Sequence, residues 1–510
     1  MKALQFLLPL LPLASSFSHP GLLVAESDLT RLRGKLSAQL DPWQACWNKL
    51  VSTSPANVPY TAQAVSSVDR DNEANADLLW QDAAAAFALA LRWKVEGNTS
   101  YADAAADILT SWSKELTSIG TNDDQYLVAG LQGHQLANAG ELLRDYTPFR
   151  ENGLDTFRTM MVDVFLAKNI YFLEHREGSE HNVKHFFANW ELAQVASVLA
   201  IGVLTDNTTT WNFAVDYFKN GTGNGAINNA ITNIVEEPGT GNSLGQGQEA
   251  GRDQGHSALD FALLGIIGQQ AWNQGEDLFA YNNSRILLGA EYFARYNLGY
   301  DVPFEPYTNG IVSYSEIGSG SRGNVRWAWE VLYNHYVMIK GQKAPWTTQY
   351  LNKTYETFGG FEPGSGSSGS PRVSGNYDTL GWGTLLYHLN ESDVASIRGS
   401  STTSSVVHKS STHEASVVKV QEATTSISGS SVFSSGSATT ISASTGRPEL
   451  TTSTATNSDF LPVSATTAPA STLKPHSDQH THIHHHHNHH HDHISDSQGS
   501  GSCPILPKNS

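Results

Sequence analysis

The sequence contains a set of polar residues whose types and spacing suit acid–base chemistry. His181, His185 and Asn189 stand at i, i+4 and i+8 in HNVKHFFANWELAQ. On a helix these three residues would share one face. Imidazole can accept or donate a proton near neutral pH, and the asparagine amide donates hydrogen bonds. The spacing predicts a polar face that leads into the apolar segment that follows it.

A second set with the same character lies about sixty residues further along the chain. The segment QGQEAGRDQGHSALDF places a second polar stripe on one helical face, made of Glu249, Arg252 or Asp253, His256 and Asp260. A buried charged stripe is costly unless its members are partnered or line a cleft. Pairing of Arg252 with Glu249 and Asp253 would be a purely structural explanation. Because both stripes follow polar loops and enter apolar helices, we favour a functional site.

These residues must be positioned by helices, since helical patterns dominate the first 392 residues. DLLWQDAAAAFALALRWKVEG predicts a helix of roughly five turns ending at Gly97. NWELAQVASVLAIGVL and HSALDFALLGIIG are apolar on nearly every face, which is typical of helices buried on all sides. About ten helices with short connections predict an all-α fold, an (α/α) toroid or incomplete double-layered helical barrel. The inner ring would present polar side chains at its mouth; a plain bundle or a solenoid is the alternative.

Composition divides the chain into four regions. Residues 1–18 have a positive start, a short apolar stretch and small residues, which predicts a secretory signal peptide cleaved after Ser18. Residues 19–392 form the predicted globular domain. The composition predicts a disordered, O-glycosylated Ser/Thr-rich stalk over residues 393–475 and a His-rich tail over residues 476–510. Six N-x-S/T sequons support a secreted, extracellular glycoprotein: Asn98, Asn207, Asn220, Asn282, Asn352 and Asn390.

Charge and cysteine content exclude several classes of protein. The formal net charge is −18, which disfavours nucleic-acid binding because such proteins need a basic field. After the N-terminal stretch no apolar run is long enough for a membrane span. Two cysteines cannot make a disulfide scaffold; Cys46 either pairs with Cys503 or stays free. The histidine run from His480 to His493 could bind a divalent metal, although an unselected low-complexity repeat is the favoured explanation.

Longer motifs resemble a known family. They are HPGLLVAESDLTRLRGKL at His19, NWELAQVASVLAIGVLTDN at Asn189, QEAGRDQGHSALDFALLGIIGQQAWNQGEDLFAY at Gln248, EYFARYNLGYDVPFEPYTNG, RGNVRWAWEVLYNHY at Arg322, and LGWGTLLYHL. Together they cover roughly residues 19–390. They resemble secreted polysaccharide lyases with an alginate-lyase-type domain, alginate and glucuronan lyases among them. The resemblance implies a monomeric (α/α) toroid that cleaves uronic-acid polysaccharides by β-elimination without a cofactor or a metal.

The resemblance also implies roles for individual residues. Asn189 matches the family's asparagine that neutralises the substrate carboxylate, and Arg252 and His256 match positions expected to line the cleft. Tyr307 is the expected catalytic tyrosine. Trp190 stands where familiar alginate lyases place a histidine. Further expected substrate-binding residues are His185, Trp190, Gln254, Tyr314, Arg322 and Arg326.

Two other functions fit some of the same residues. A glycoside hydrolase on the helical scaffold would need paired carboxylates, for which Glu249, Asp253 and Glu191 are the candidates. A metal-binding cell-wall glycoprotein could use His19, the first residue after the predicted cleavage. Within the lyase interpretation the sequence leaves open which uronate polymer is cleaved, endo or exo action, and whether Tyr307, Tyr314 or a histidine is the base.

Overall fold

A computed structural model describes residues 17–70, 75–120, 122–175, 186–309, 312–370 and 372–397. Most of the predicted signal peptide, nearly all of the stalk and the whole His-rich tail lie outside these ranges. The same holds for His181, His185 and Cys503. Residues 393–397 continue the described chain past the predicted boundary at 392, and Lys35 Nζ pairs with Asp393 Oδ2 at 2.8 Å.

Helices make up most of the described chain. The first eight are α1 Glu26–Ser37, α2 Trp43–Ser52, α3 Ala76–Glu96, α4 Thr99–Glu115, α5 Asp124–Leu143, α6 Thr147–Asn152, α7 Leu154–Met160 and α8 Ala167–His175. The others are α9 Ala188–Leu204, α10 Thr208–Asn220, α11 Ile227–Ala230, α12 Gln254–Asn273, α13 Tyr281–Asn297, α14 Trp329–Tyr333, α15 Pro345–Phe358 and α16 Gly383–Leu386. π-Helical turns at Met161–Leu166 and Asn334–Ile339 join α7 to α8 and extend α14.

Six short strands form three two-stranded pairs. Strand β1, Ser67–Val68, runs parallel to β2, Ser118–Ile119. Strand β3, Ile231–Glu236, is antiparallel to β4, Ser243–Gly247. Strand β5, Tyr307–Thr308, is antiparallel to β6, Ser313–Tyr314. The polar segment before Glu249, expected to be a flexible loop, instead forms the β3–β4 hairpin, because Leu244 and its neighbours in β4 pack into the interior.

The helices form two concentric layers. In the inner layer α3 packs on α5, α5 on α9, α9 on α12 and α12 on α14, and α16 and α1 close the series between α14 and α3. In the outer layer α4, α8, α10, α13 and α15 pack against these inner helices. Helices α5, α9 and α12 are buried along nearly their whole length, which explains why their sequences are apolar on every face. The predicted all-α toroid is confirmed.

Local sequence explains where the inner helix α3 stops. Its alanine-rich core favours helix strongly, and Gly97 follows in the left-handed conformation with φ 73°. This conformation is accessible to glycine at little cost, and Gly97 N donates to the carbonyl of Trp93 at 2.8 Å. The predicted end of this helix at Gly97 is therefore confirmed.

Polar side chains inside the ring bond to one another. Asn138, on α5, accepts a hydrogen bond from Leu23 N at 2.9 Å and donates to His134 O at 2.7 Å and Gln270 Oε1 at 3.0 Å. Gln270, on α12, donates in turn to the carbonyl of Ala196 on α9. Because buried polar groups cost little only when paired, this network fixes how three inner helices pack.

The inner helices α3, α5, α9 and α12 begin on the same side of the ring, which we call the mouth. The strands preceding α3 and α5 pair with each other, and the first turn of α9 bonds to the segment just before α12. Gln254 N, at the start of α12, donates to Gly320 O, in the loop that leads to α14. Helix N-termini carry partial positive charge, so the mouth favours anions although the whole chain is acidic.

The structure also bears on the cysteine and on membrane-spanning segments. Among the described residues Cys46 has no disulfide partner; it is fully buried, and burial together with the charges of Glu330 and Glu362 raises the pKa of its thiol. In the ranges given above, no helix is long and apolar enough to cross a membrane.

Candidate active site

The first turn of α9 is held by the side chains that precede α12. Ala188 N donates to Gln248 Oε1 at 2.9 Å, and Asn189 N donates to Glu249 Oε1 at 3.0 Å. Helix N-termini leave backbone N–H groups without intrahelical partners, and these two side chains satisfy two of them. Helix α9 begins only at Ala188 and Phe187 is extended, so Asn189 lies in the first turn of its helix, while His181 and His185 of the predicted stripe lie outside the described residues.

Asn189 is held at the mouth with an unused donor. Its side chain is only 1 % exposed. No acceptor among the described residues lies within hydrogen-bonding distance of Asn189 Nδ2. Leaving a buried donor unpaired typically costs about 1–3 kcal/mol. An asparagine kept here at that cost suits a group that bonds a substrate oxygen.

Tyr307 and Tyr314 lie directly opposite each other in the β5–β6 hairpin. The Tyr307 hydroxyl accepts a hydrogen bond from Gln248 Nε2 at 3.0 Å. The hairpin can pack against the turn before α12 because residue 251 in that turn is glycine. A Cβ at residue 251 would lie 2.5 Å from Tyr314 Cβ. The hairpin therefore delivers two phenols to the segment that also holds Asn189.

The environment of Tyr307 favours its protonated form. Burial raises the pKa of Tyr307, and the negative charges of Glu249 and Glu191 act in the same direction. Hydrogen bonds with Gln248 and Asn224 oppose this shift without cancelling it. Tyr307 thus holds its proton at neutral pH and is suited to donate it.

Arg252 supplies a positive charge beside these groups. Its Nη1 donates to Glu249 Oε2 at 2.9 Å, and its guanidinium carbon lies 3.9 Å from the centre of the Phe187 ring. Its Nε is 3.8 Å from Asp253 Oδ2. A quarter of the side chain is exposed. The guanidinium is therefore fixed in direction yet still reachable from the mouth.

His256 and Asp253 form a second acid–base unit. Asp253 caps α12 by accepting from His256 N at 2.9 Å, and its other carboxylate oxygen lies 2.5 Å from His256 Nδ1. Burial alone would raise the pKa of Asp253, but hydrogen bonds from His256 and the charges of His256 and Arg252 hold it below its usual value. In the neutral form of the ring, this bond to Asp253 would place the proton on Nδ1 and leave Nε2 of the half-exposed imidazole as the acceptor.

The second predicted stripe is only partly helical. Helix α12 begins at Gln254, so Glu249 and Arg252 lie in the turn before it and reach the cluster through hydrogen bonds. Asp260 lies on the helix and is buried. Burial and the charge of Glu249 raise the pKa of Asp260 well above its usual value, which favours the neutral form of this carboxyl.

Two predicted arginines point to other partners. Arg322 donates from Nε to Tyr296 O at 2.8 Å and from Nη2 to Tyr300 O at 3.1 Å. Arg326 Nη1 pairs with Asp378 Oδ2 at 2.9 Å. Both side chains are half-buried. Neither guanidinium bonds to the hydrogen-bonded group around Asn189, Gln248 and Glu249. Their binding roles stay predictions.

Of the remaining predicted binding residues, Gln254 and Trp190 contact other parts of the protein. Gln254 is buried; its Nε2 donates to Gly318 O at 2.8 Å and its Oε1 accepts from Asn297, so its amide positions the loop around Gly318. Trp190 is half-buried and its ring lies 5.2 Å from that of Phe186. His185 lies outside the described residues.

Gln248, which links the candidate site together, was not predicted from the sequence. Gln248 bonds both the start of α9 and the Tyr307 hydroxyl, and Asn224 is a second amide at that hydroxyl. Gln248 opens the motif QEAGRDQGH, three positions before the GRDQGH segment begins at Gly251, but amides in loops carry no periodic signal. Its contacts join residues about sixty positions apart, which no local pattern encodes.

The carboxylates proposed for a hydrolase are all engaged by the protein. Glu191 is buried and accepts from Tyr217 OH and Gly225 N, each at 2.8 Å. Glu249 is fully buried and pairs with Arg252, while Asp253 pairs with His256. Carboxylates that are bonded to protein groups in this way are better suited to hold other side chains in place than to transfer a proton to a glycosidic oxygen.

The described residues give little support to a metal site. They contain no group of three histidine, cysteine, aspartate or glutamate side chains that could hold a metal ion. Both ring nitrogens of His19 face carboxylates, Glu141 Oε1 at 2.5 Å and Asp206 Oδ1 at 3.0 Å. This bonding ties the segment at His19 to the ring.

Comparison with known proteins gives one family and several structural neighbours. The family model described as alginate lyase matches residues 31–301. A solved variant of alginate lyase A1-III complexed with tetrasaccharide is 13% identical, with a TM-score of 0.47, and the match covers 74% of this chain and 98% of that one.

Two other solved structures are similar to the chain. Alginate lyase A1-III from Sphingomonas species A1 is 15% identical with a TM-score of 0.44, covering 74% of this chain and 98% of that one. An alginate lyase from Bacteroides ovatus is 12% identical with a TM-score of 0.42, covering 73% and 100%. No curated protein matches the sequence.

Proposed function

We propose, since the chain belongs to the alginate lyase family and is a polysaccharide lyase, that it cleaves a uronic-acid polysaccharide by β-elimination. The observation that carries this proposal is a group of hydrogen bonds at the mouth. Gln248 bonds the Tyr307 hydroxyl, and Glu249 bonds both Asn189 N and the Arg252 guanidinium.

The first requirement of β-elimination is neutralisation of the substrate carboxylate. The proton at C5 is barely acidic while the neighbouring carboxylate carries its full charge, so donors must withdraw that charge as the carbanion develops. Asn189 offers an unused amide N–H and Arg252 a guanidinium fixed by Glu249. The N-termini of the inner helices add positive potential.

The second requirement is a base and an acid. We propose that His256 Nε2 takes the C5 proton, since Asp253 fixes the proton of the ring on Nδ1. As the C5–H bond breaks, its electrons form the C4–C5 double bond and the C4–O4 bond breaks. Tyr307, which keeps its proton because burial raises its pKa, donates that proton to the leaving oxygen. Tyr314 is the alternative phenol, since it lies opposite Tyr307.

The surface supports the proposal that the protein is secreted. Five of the six sequon asparagines are exposed, namely Asn98, Asn207, Asn220, Asn282 and Asn352, and Asn390 is half-buried. A glycan can be attached only where the asparagine reaches solvent. We therefore propose an extracellular glycoprotein acting on polymeric substrate outside the cell.

The test is product formation from defined polymers. The full-length protein is incubated with alginate and with glucuronan while ultraviolet absorbance is recorded, because elimination creates an absorbing double bond and hydrolysis does not. We expect absorbance to rise with at least one polymer and not with the Tyr307→Phe variant. Reducing ends formed without absorbance would instead establish a hydrolase and refute the proposal.

A further inference from the structure

A cleft lies between the strand β2, the start of α5, the π-helical turn and α8. It has a volume of about 360 Å³, and both polar and apolar residues line it: Thr117, Ser118, Tyr126, Asp163, Val164, Ala167, Lys168 and Tyr171. Tyr126 stands in the first turn of α5, so this end of the cleft is at the mouth. Nothing in the proposed chemistry uses these residues.

One side of the cleft carries an exposed tyrosine. Tyr171 has 49% of its surface accessible. Its ring is nearly parallel to that of Tyr126, with centres 6.0 Å apart and planes 11° apart, and to that of His175, with centres 4.4 Å apart and planes 13° apart. These two neighbours hold the Tyr171 ring in place, and its exposed half is left for a ligand. An exposed tyrosine ring suits the C–H groups of a sugar, because contact with an aromatic buries apolar area without desolvating the hydroxyl groups.

A cation stands beside this wall. Lys168 Nζ donates to Gln125 Oε1 at 2.6 Å, which aims the ammonium toward the start of α5. The group has three N–H donors, and only this bond to protein is formed among the described residues. Asp163 is the carboxylate on the same cleft. A uronate differs from a neutral sugar by its carboxylate, so Lys168 next to the rings favours an acidic sugar.

Aromatic contacts connect this cleft to the active site. The Tyr126 ring lies 5.1 Å from Phe172, and Phe172 lies 6.3 Å from Trp190, the residue after Asn189. Gln194 Nε2, on α9, also donates to Tyr126 O at 2.7 Å. The cleft and the candidate catalytic groups are therefore held by the same rigid packing.

From these observations we infer a distal sugar-binding subsite, formed by Tyr171, Tyr126 and Lys168, that holds a uronate residue of the polysaccharide away from the bond being cleaved. The inference rests on the proposed function, since it assumes an acidic polysaccharide as the ligand. A subsite of this kind binds long chains and leaves short ones unaffected. It adds affinity without taking part in the chemistry.

The test compares substrate lengths in variants of the cleft. Tyr171→Ala and Lys168→Met should each raise KM for the polymer roughly three- to tenfold, as expected for loss of one stacking or ionic contact. They should leave kcat unchanged, and also kcat/KM for the shortest cleaved oligouronate. Tyr171→Phe keeps the ring and should behave as wild type. An unchanged polymer KM in both variants, or an equal loss on short and long substrates, would overturn the subsite.

Binding separates this inference from the proposed function. Calorimetry with a long oligouronate is carried out on Tyr307→Phe protein with and without Tyr171→Ala. A Kd that weakens with Tyr171→Ala supports the subsite even if the wild type yields no unsaturated product, in which case only the lyase proposal fails. An active wild type whose KM and Kd are both insensitive to Tyr171→Ala refutes the subsite alone.

Discussion

Replacing Asn189 by alanine should separate activity from stability. The asparagine is buried and its Nδ2 has no acceptor among the described residues. Alanine removes an unpaired donor, which relieves about 1–3 kcal/mol. It also leaves a small cavity, which costs on the order of 1 kcal/mol. These two effects nearly cancel, so the free energy of unfolding should change by no more than about 1 kcal/mol in either direction.

The activity of the same variant should fall steeply. If Asn189 bonds the substrate carboxylate as charge develops, loss of one preorganised donor costs about 10²–10³ in kcat, or roughly 2.7–4 kcal/mol. The assay is the initial rate of ultraviolet absorbance at saturating polymer, with the melting temperature measured on the same preparation.

Asn138→Ala is the matched control. Asn138 is an equally buried asparagine on an inner helix, but it makes three hydrogen bonds to protein. Its removal strands those partners and should lower stability by about 1–3 kcal/mol while the folded fraction keeps its kcat. If Asn189→Ala instead melts early and retains its rate, Asn189 is structural and the argument from its unpaired amide is wrong.

Four further predictions concern other parts of the chain. Tyr307→Phe keeps the ring but removes the proton donor, so kcat should drop further than in Asn189→Ala with an unchanged circular dichroism spectrum; a fully active variant would move the role to Tyr314. Burial, with the charge of Glu330, raises the pKa of Glu362 to about 8 from 4.5. This carboxyl therefore stays neutral in the fold and ionises on unfolding. The stability that it contributes is present at acid pH and lost as pH rises from about 4.5 to 8, on the order of a few kcal/mol. Melting temperatures should fall over that range and fall less in Glu362→Gln; equal slopes would contradict the assignment. A chain of residues 19–397, which keeps the Lys35–Asp393 pair, should melt cooperatively and retain full activity, whereas loss of most activity would place functional residues in the tail. Full-length protein should bind immobilised Ni²⁺ through residues 480–493, and deletion of that run should abolish binding without changing turnover.

The helical framework could be predicted because its signals are local. Backbone bonds from residue i to i−4 and a 3.6-residue period are written into any stretch of about fifteen residues. The alanine-rich segment ending at Gly97 and the all-apolar segments of α9 and α12 each carried that signal. Two helices apolar on every face, set among amphipathic ones, already implied two layers.

Part of the candidate site could be named from the sequence for a different reason. Arg252, His256 and Asn189 stand in long motifs that resemble a family, and the structure brings them to one mouth. The second stripe was wrong as a single helical face, since α12 begins at Gln254, after Glu249, Arg252 and Asp253. Residues in the turn before a helix can lie close to its first residues, and helical spacing does not describe that arrangement. The first stripe includes His181 and His185, which lie outside the described residues.

The sequence by itself determined the fold class, the layers and several residues of the site. Only the tertiary structure decided how those residues meet. Gln248 joins α9 to Tyr307, 59 positions away, and Arg322 and Arg326 turn to carbonyl and carboxylate partners rather than to the cluster. Such bonds depend on where the ring brings distant segments together. Helix periodicity depends only on neighbours along the chain. For that reason the helices could be predicted from the sequence, and the long-range bonds of the candidate site could not.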